Sequence, residues 1–369
     1  MSTRANRPGF IEPIQGTVLA VQANFYRVRL QLADSVDGVG LPPRELLCTR
    51  RSRLKKMGQQ VMVGDQVRIE EPDWQGGRGA IAEVLPRGLV LQRPPVANAQ
   101  QVLLLFALVD PPLDLQQLTR FLVTVEATGL QVRLCFNKCD LVDQTEQQDW
   151  CDRVHQWGYP AHLISLYQQR GLEGIQTSLK HRVTVLAGPS GVGKSSLIHH
   201  LLPHAELRVG EISHRWRRGQ HTTRHVELFE LPQGGLIADT PGFNQPALTC
   251  EPSALAHCFP EIRQRLQQGQ CQFKDCLHRD EPHCMVRGSW ERYPYYLTLL
   301  EEAMTLEAER NATANPEVNL KTKPTRGGST HPEPKLMAKR YRRSARKTEH
   351  QTLQHLYQEA EEQWSSPER

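Results

Sequence analysis

The sequence has no long hydrophobic run. Among its 369 residues, no apolar stretch approaches the roughly 20 residues that a membrane span requires. Met1–Gly16 is polar and lacks the apolar stretch of a secretory signal, so we expect a cytoplasmic protein that acts without a membrane. The net charge is only +5, so any affinity for nucleic acid must come from local basic patches. The length suits two or three domains.

The cysteine pattern is not typical of a disulfide-stabilised protein. There are nine cysteines, an odd number, and most of them are scattered along the chain. In a reducing compartment, scattered cysteines are usually small buried hydrophobic residues. Cys271, Cys276 and Cys284 instead lie close together, and such a cluster indicates a metal site rather than disulfides.

Residues 14–92 have the pattern of a small β domain. The β-branched, aromatic and aliphatic residues concentrate in four segments: Ile14–Val21, Phe25–Leu32, Val61–Ile69 and Ala80–Leu85. Several short strands separated by glycines and prolines predict a small barrel of the OB type. The strongly basic segment Arg50–Lys56 is predicted to be a loop. One interpretation is a solvated surface loop. The other is a loop that contacts nucleic-acid phosphates, because OB barrels often bind nucleic acid through their surface.

Residues 93–249 change to an α/β pattern after Pro94–Pro95, which we interpret as a linker. Val102–Val109 is a continuous apolar run, typical of a strand that is covered on both faces. Leu115–Ala127 is predicted to be a helix, and three further strands are predicted: Val132–Phe136, His181–Ala187 and Gly235–Ala238. Strands that alternate with helices indicate a parallel sheet with crossover helices.

The remaining chain divides into parts of different composition. Residues 250–309 are polar and helix-like and contain the cysteine cluster. We assign residues 1–13 to a disordered N-terminus and residues 310–369 to a flexible linker and a basic helical tail. The linker is predicted over 310–334, which is rich in Asn, Thr, Pro and Gly, and Lys335–Lys347 holds seven basic residues and no acidic one.

A phosphate-binding loop is predicted where the pattern G-x-x-x-x-G-K-[ST] occurs between an apolar strand and a helix-compatible stretch. The glycines let successive N–H groups point at phosphate oxygens. Lys194 is expected to reach the β- and γ-phosphates, and the Ser195 hydroxyl to ligate Mg²⁺. Asp239 follows a later strand and is expected to hold the same ion, with the Gly242 N–H on the γ-phosphate. The predicted phosphate-binding residues are Gly188, Pro189, Ser190, Gly191, Val192, Gly193, Lys194, Ser195, Ser196 and Gly242.

A guanine-reading motif, Asn137-Lys-Cys-Asp140, follows another strand. The Asp140 carboxylate can accept hydrogen bonds from guanine N1–H and the 2-amino group, whereas adenine offers neither. Asn137 is expected to serve the other edge of the base, Lys138 to pack across its plane, and the loop containing Ser165 to support it. Two alternatives are a P-loop ATPase or kinase and an RNA-binding module with a vestigial nucleotide site. The guanine-reading motif argues against the first, and intact Lys194 argues against the second.

The order of these motifs is permuted. An ordinary GTPase has its phosphate loop first, but here Asn137–Asp140 precedes Gly188 by about fifty residues and Asp239 comes last. Permutation is tolerated where domain termini lie close together. The chain resembles the circularly permuted GTPases, and over residues 14–305 the family of ribosome small-subunit-dependent GTPases. The stretches that carry this resemblance are Gly188–Ser195, Gly210–Ser213, Gly219–Thr223 and Asp239–Phe243.

This resemblance implies a barrel, a permuted GTPase domain and a zinc-bearing helical domain. It also implies a monomer that hydrolyses GTP to GDP and acts late in maturation of the 30S subunit, with 16S rRNA as a partner and stimulation by the subunit. Cys271-x4-Cys276-x-His278-x5-Cys284 matches the family spacing. A Cys3His set is a common structural zinc site, with no open position for catalysis, so we expect one zinc ion per chain. His283 is a competing ligand that ranks below His278.

The sequence offers one candidate for the residue that orients the attacking water. Ras-type enzymes carry a water-orienting Gln just after the switch glycine, but Phe243 stands in that place here. Intrinsic hydrolysis is therefore expected to be slow. His221 is the nearest substitute, although it fits a surface-loop histidine equally well. Thr222 or Thr223 is expected to contact Mg²⁺ and the γ-phosphate.

Overall fold

The computed structural model describes residues 14–31, 44–92, 94–202, 226–239, 247–314, 320–324 and 330–334. Within them the strands are β1 Ile14–Gln22, β2 Phe25–Leu30, β3 Glu45–Arg50, β4 Gln66–Asp73, β5 Arg78–Val84, β6 Val90–Gln92, β7 Pro95–Ala97, β8 Gln101–Ala107, β9 Gln131–Asn137, β10 Ala161–Leu163, β11 Val183–Ala187, β12 Glu227–Glu230, β13 Leu236–Asp239, β14 Leu320–Pro324 and β15 Thr330–Pro334. The helices are α1 Ser52–Lys56, α2 Leu115–Glu126, α3 Gln144–Gln156, α4 Leu172–Leu179, α5 Lys194–Leu201, α6 Pro252–Leu255, α7 Pro260–Gln268 and α8 Tyr293–Ala314. The chain divides into two units, Met1–Met304 and Thr305–Arg369.

The first five strands form a closed barrel, which confirms the predicted OB-like fold. Their order is β1-β2-β3-β5-β4, and β1 also pairs with β4 to close the ring. Val18, Val28, Val67 and Ile81 point into one buried cluster, as the period of two along a strand requires. The basic segment predicted as a loop contains α1 instead, because Leu54 is buried in that cluster and anchors a helical turn.

The second part of the sheet has the order β10-β9-β8-β11-β13-β12. All neighbouring pairs are parallel except β12–β13, which is antiparallel. The strand β11, which leads into the phosphate loop, is central, yet β8 and β9 precede it in the chain. The predicted permuted α/β fold is therefore confirmed.

Helices cover both faces of this sheet, so β8 is buried along its whole length. Leu104 and Phe106 belong to one core cluster together with residues of α2 and α3. Leu103 and Leu105 belong to a second cluster together with residues of α4 and α5. Burial on two faces is the reason why this strand is a continuous apolar run.

The barrel and the α/β sheet are continuous, because β1 pairs antiparallel with β12 at Ala20 and Glu227. Successive residues of β1 pack into two different cores: Val18 lies in the barrel cluster and Leu19 in the first α/β cluster. Ion pairs add to this junction, with Arg27 Nη2 at 2.5 Å from a Glu227 oxygen and Arg29 Nη2 at 2.8 Å from a Glu230 oxygen.

The segment that the sequence predicted as a linker at Pro94–Pro95 lies in a small hairpin, in which Gln92 pairs with Pro95. Pro95 is the first residue of β7, a position where proline is tolerated in strands.

The region after residue 250 is helical, as predicted, with α6, α7 and the start of α8 around the cysteine cluster. In the second unit, β14 and β15 pair antiparallel, so the predicted linker over residues 310–334 contains regular structure. Along this ladder, residue pairs with a proline alternate with pairs without one. The two pairs without a proline are Lys321 with Glu333 and Lys323 with His331. Prolines confined to alternate positions leave the other pairs able to donate ladder hydrogen bonds, so the proline content is compatible with this pairing.

No helix in the described part of the chain is both long enough and apolar enough to cross a membrane.

Candidate functional site

The predicted phosphate loop connects β11 to α5 at the carboxyl end of the central strand. Gly188, Gly191 and Gly193 all have positive φ, a conformation that only glycine adopts without strain. A Cβ on Gly188 would meet the Leu105 carbonyl oxygen at 2.0 Å. The loop therefore lies directly on the neighbouring strand β8 and needs glycine there.

Lys194 is the first residue of α5, and its side chain folds back over the loop. Its Nζ donates to the carbonyl oxygens of Gly188, at 2.9 Å, and of Pro189, at 2.5 Å. These bonds hold the ammonium group above the loop that is predicted to cradle phosphates. Ser195 and Ser196 follow in the first helical turn and are exposed, so their hydroxyls are accessible to a ligand.

Asn137, the last residue of β9, joins the guanine-reading motif to the phosphate loop. Its Nδ2 donates to the Val192 carbonyl oxygen at 2.9 Å, and its Oδ1 accepts from the Leu166 N–H at 3.3 Å. Its side chain is buried. One buried amide thus ties three loops together, and one hydrogen of its NH₂ group remains available for a base.

The other members of the motif lie beside this amide. Asp140 is partly exposed, and its carboxylate has no hydrogen-bond partner among the described residues, so its oxygens can accept from a ligand. Ser165 is fully buried; its Oγ accepts from the Gln168 N–H at 3.0 Å, and its backbone exchanges hydrogen bonds with Arg170. These bonds stabilise the loop that was predicted to support the base.

Asp110 is a residue of this site that the sequence reasoning missed. It follows β8, the strand between β9 and β11, and the Lys138 ammonium contacts both its carbonyl oxygen and its carboxylate. Pro111 lies against Gly191 of the phosphate loop. Because the carboxyl ends of parallel strands meet at one edge of the sheet, an acidic residue just after β8 was the signal that could have identified it.

Asp239 is the last residue of β13, and its backbone pairs with Leu186 of β11, directly before the phosphate loop. This places the start of the Asp239–Gly242 segment at the same edge of the sheet as Asn137 and Gly188. The predicted site residues His221, Thr222, Thr223 and Gly242 lie outside the described residues, as does Phe243.

The predicted metal ligands come together in the helical region. The ligand atoms of Cys271, Cys276, His278 and Cys284 all lie within 4.8 Å of one another. His278 Nδ1 lies 3.5 Å from the Cys271 sulfur and 3.4 Å from each of the Cys276 and Cys284 sulfurs. The Cys271 and Cys284 sulfurs are 3.9 Å apart. Around a tetrahedral zinc ion, such atoms are roughly 3.5–3.8 Å apart, so the residues present fit this metal. His278, not its competitor His283, belongs to the cluster.

Hydrogen bonds outside the cluster hold its loops in place. The Glu281 carboxylate accepts from the N–H groups of Leu277 and Arg279, both at 2.8 Å. Burial raises the pKa of Glu281, but these bonds to the ionised form outweigh it and leave the pKa lowered. Tyr296 Oη donates to the Leu277 carbonyl oxygen at 2.6 Å, which joins the loop to α8. Such outer contacts orient metal ligands.

Comparison with known proteins agrees with this geometry. The sequence profile of the RsgA GTPase family matches residues 84–249. The chain is 56% identical over 360 residues to the small ribosomal subunit biogenesis GTPase RsgA of Trichormus variabilis, covering 94% of this chain and 97% of that protein. It is 42% identical over 368 residues to the mitochondrial small ribosomal subunit biogenesis GTPase RsgA 1 of Arabidopsis thaliana, covering 92% of this chain and 85% of that protein.

Two solved structures share the fold. YloQ, described as a circularly permuted GTPase, matches with a TM-score of 0.67 at 31% identity, covering 82% of this chain and 99% of that structure. YjeQ from Thermotoga maritima matches with a TM-score of 0.65 at 29% identity, covering 79% of this chain and 98% of that structure. With the phosphate loop and the guanine-reading motif at one sheet edge, in permuted order, the chain belongs to the RsgA GTPase family of GTP-hydrolysing enzymes.

Proposed function

We propose that this enzyme binds the 30S ribosomal subunit, contacts its 16S rRNA, and acts late in maturation of the subunit. GTP hydrolysis to GDP and phosphate is stimulated by the subunit. The assignment to small-subunit biogenesis is carried by the names of relatives that match the chain over nearly its whole length. Such a role places the protein in the cytoplasm, and we propose that it acts as a monomer.

The geometry of the sheet edge supports the following proposed roles in nucleotide binding. Lys194 binds the β- and γ-phosphates, and Ser195 and Asp239 hold the Mg²⁺ ion that accompanies GTP. Asp140 reads the guanine edge, and Asn137 aligns the base with the phosphate loop. The bridge from Asn137 to Val192 supports this arrangement, because it fixes the distance between the two ends of the nucleotide site.

Hydrolysis requires a group that orients the attacking water. We propose His221 for this role, because Phe243 occupies the place where a glutamine would stand. Thr222 or Thr223 contacts Mg²⁺ and the γ-phosphate. The ribosomal subunit accelerates the reaction either by ordering the loop around His221 or by contributing a group of its own.

The basic end of β3 and helix α1 are proposed to contact rRNA phosphates. Arg51 is already paired with Glu71, at 2.6 Å, and Arg50 donates to the Gln59 carbonyl oxygen at 3.0 Å. The cations of α1 itself, Arg53, Lys55 and Lys56, are exposed. We therefore assign the rRNA contact to the exposed cations of α1 rather than to Arg50 and Arg51.

The Cys3His cluster is proposed to hold one structural zinc ion. Four protein ligands complete a tetrahedral shell, so the ion has no open position for substrate. It would fix the fold of the helical region beside the GTPase domain.

The test is GTP turnover with and without purified 30S subunits. We expect slow turnover alone and a clear increase with subunits; equal rates would contradict the stimulated activity. In parallel, replacing Arg53, Lys55 and Lys56 with glutamine should weaken subunit binding and flatten its salt dependence, because each phosphate contact releases counterions. Arg51→Gln, which removes a cation already paired, is the matched control and should have little effect.

The role of His221 is tested separately. His221→Ala should bind 30S subunits nearly as well as the wild type and lose the stimulated hydrolysis. Full stimulated activity in this variant would remove the histidine from the mechanism and leave the remaining assignments intact. A nucleotide competition assay distinguishes this enzyme from an ATPase.

A further inference from the structure

Two arginines lie together at the end of the α/β sheet that is remote from the nucleotide. Arg133 is in β9, and Arg182 directly precedes β11. Arg133 comes four residues before Asn137, which is roughly 13 Å along the strand. Arg182 comes six residues before Gly188, which is roughly 20 Å. Neither side chain is therefore part of the nucleotide site.

The two guanidinium groups share the side-chain oxygens of two glutamines. Gln101 Oε1 accepts from Arg133 Nε at 3.3 Å and from Arg182 Nη1 at 3.2 Å. Gln131 Oε1 accepts from Arg133 Nη2 at 3.2 Å and from Arg182 Nη1 at 2.8 Å. Both cations are thus fixed against the same pair of neutral oxygens.

The orientation of Gln101 is fixed from the other side. Its side chain is fully buried, and its Nε2 donates to the Ser178 carbonyl oxygen and to Thr184 Oγ1, each at 2.9 Å. Its oxygen must therefore face the two arginines. The cluster is a built arrangement and not a chance encounter of mobile surface side chains.

No carboxylate pairs with Arg133 or Arg182 within the described residues. Other arginines there do have acidic partners, such as Arg87 with Asp65 and Arg120 with Glu302. Burial, and then the positive charge of Arg182, lowers the pKa of Arg133. Exposed Lys180 and His181 directly precede Arg182. The cluster is therefore a concentrated positive charge without a negative counterpart.

The guanidinium groups keep donors for a ligand. A guanidinium has five N–H groups, and Arg133 Nη1 and Arg182 Nη2 make no hydrogen bond in the described part of the chain. Neither of these nitrogens is among the buried polar atoms that lack a partner, so both reach solvent. Two adjacent planar guanidiniums suit a phosphate group, which can accept from both at once.

We propose that Arg133 and Arg182 form an anion clamp for a backbone phosphate of ribosomal RNA, separate from the nucleotide site and from α1. The identity of the RNA rests on the proposed function, whereas the phosphate chemistry rests on the side chains alone. The clamp gives the GTPase domain its own contact with the subunit, at the end of the sheet opposite to the bound nucleotide.

The first experiment measures binding of the full chain, saturated with a non-hydrolysable GTP analogue, to purified 30S subunits over a series of KCl concentrations. The variants are Arg133→Gln, Arg182→Gln and the double variant, with Arg68→Gln, an arginine paired with Glu83, as the matched control. We expect the double variant to bind roughly tenfold more weakly and its log–log salt slope to fall by about one, because the two arginines hold a single phosphate. The control should match the wild type, and basal GTP hydrolysis should be unchanged in all variants.

The second experiment uses inorganic phosphate as the probe, in thermal unfolding of the protein saturated with the same GTP analogue at constant ionic strength. A ligand that binds only the folded state raises its melting temperature, so phosphate should stabilise the wild type more than the double variant. Phosphate stabilisation lost in the double variant, without any change in 30S binding, would identify free phosphate as the ligand and overturn the RNA assignment.

The outcomes separate this inference from the proposed function. If the wild type binds 30S subunits and the double variant binds them equally well with the same salt slope, the RNA assignment is overturned while the proposed function stands. If the wild type does not bind subunits, the function and the RNA assignment both fall. The phosphate experiment then decides whether the anion site exists.

Discussion

Glu261→Gln tests the most completely buried ion pair in the described part of the chain, between Arg292 and Glu261. The Arg292 guanidinium is 0% exposed and donates to both oxygens of Glu261, at 2.7 and 2.5 Å. The rings of Trp157 and Phe259 lie 5.0 and 4.9 Å from its central carbon. Trp157 belongs to the GTPase domain and Phe259 to the helical region, so this pair lies where the two pack together.

The expected loss of stability follows from the burial of this ion pair. Removing one partner of a buried ion pair leaves an uncompensated charge and costs about 3–5 kcal/mol of the free energy of unfolding. Glutamine keeps one acceptor oxygen but not the negative charge, and Arg292 Nη1 already lacks a partner. We therefore expect about 3 kcal/mol for Glu261→Gln and about 5 kcal/mol for Glu261→Ala. Arg292→Met combined with Glu261→Leu should recover most of the loss, because a well-packed apolar pair removes both charges.

The assay is urea unfolding followed by tryptophan fluorescence, since Trp157 and Trp290 both lie near the pair. Glu83→Gln is the control: its partner is Arg68, the two side chains are 50% and 42% exposed, and such pairs contribute about 0–1 kcal/mol. The reasoning would be refuted if Glu261→Gln cost no more than Glu83→Gln, or if the double substitution were less stable than either single one.

Three further predictions concern the nucleotide and metal sites. Asp140→Asn should weaken GTP binding and gain affinity for xanthosine triphosphate, because xanthine carries an oxygen in place of the 2-amino group; unchanged GTP affinity in competition binding would contradict the guanine-reading role. Cys276→Ser should lose the metal and destabilise the helical region, because binding free energy at such sites is folding free energy; metal analysis that finds no zinc in the wild type would exclude this. Gly188→Ala should lower GTP affinity about tenfold or more, because the new Cβ would meet the Leu105 carbonyl oxygen at 2.0 Å; calorimetry that shows wild-type affinity would contradict the close packing of the loop.

The sequence predicted the central strands closely, but it missed some short ones. The strand β8 was recognisable as an apolar run, whereas β12, of four residues, and β10, of three, are too short for a periodic pattern. Both are strands because neighbours in the sheet supply their hydrogen-bond partners. The pairing of β14 with β15, inside the segment predicted as a linker, was also not recognisable, because proline content does not indicate which positions pair.

The sequence by itself determined the features that depend on a few consecutive residues. The glycines of the phosphate loop are required by local backbone conformation, and the spacing from Cys271 to Cys284 is set by what four ligands need around one ion. Tertiary structure alone decided the features that join distant residues. These include the shared strand β1, the burial of Arg292 on Glu261, and the meeting of Arg133 with Arg182. Each depends on chain segments that are remote in sequence, and local pattern carries no information on which remote segments will pack together.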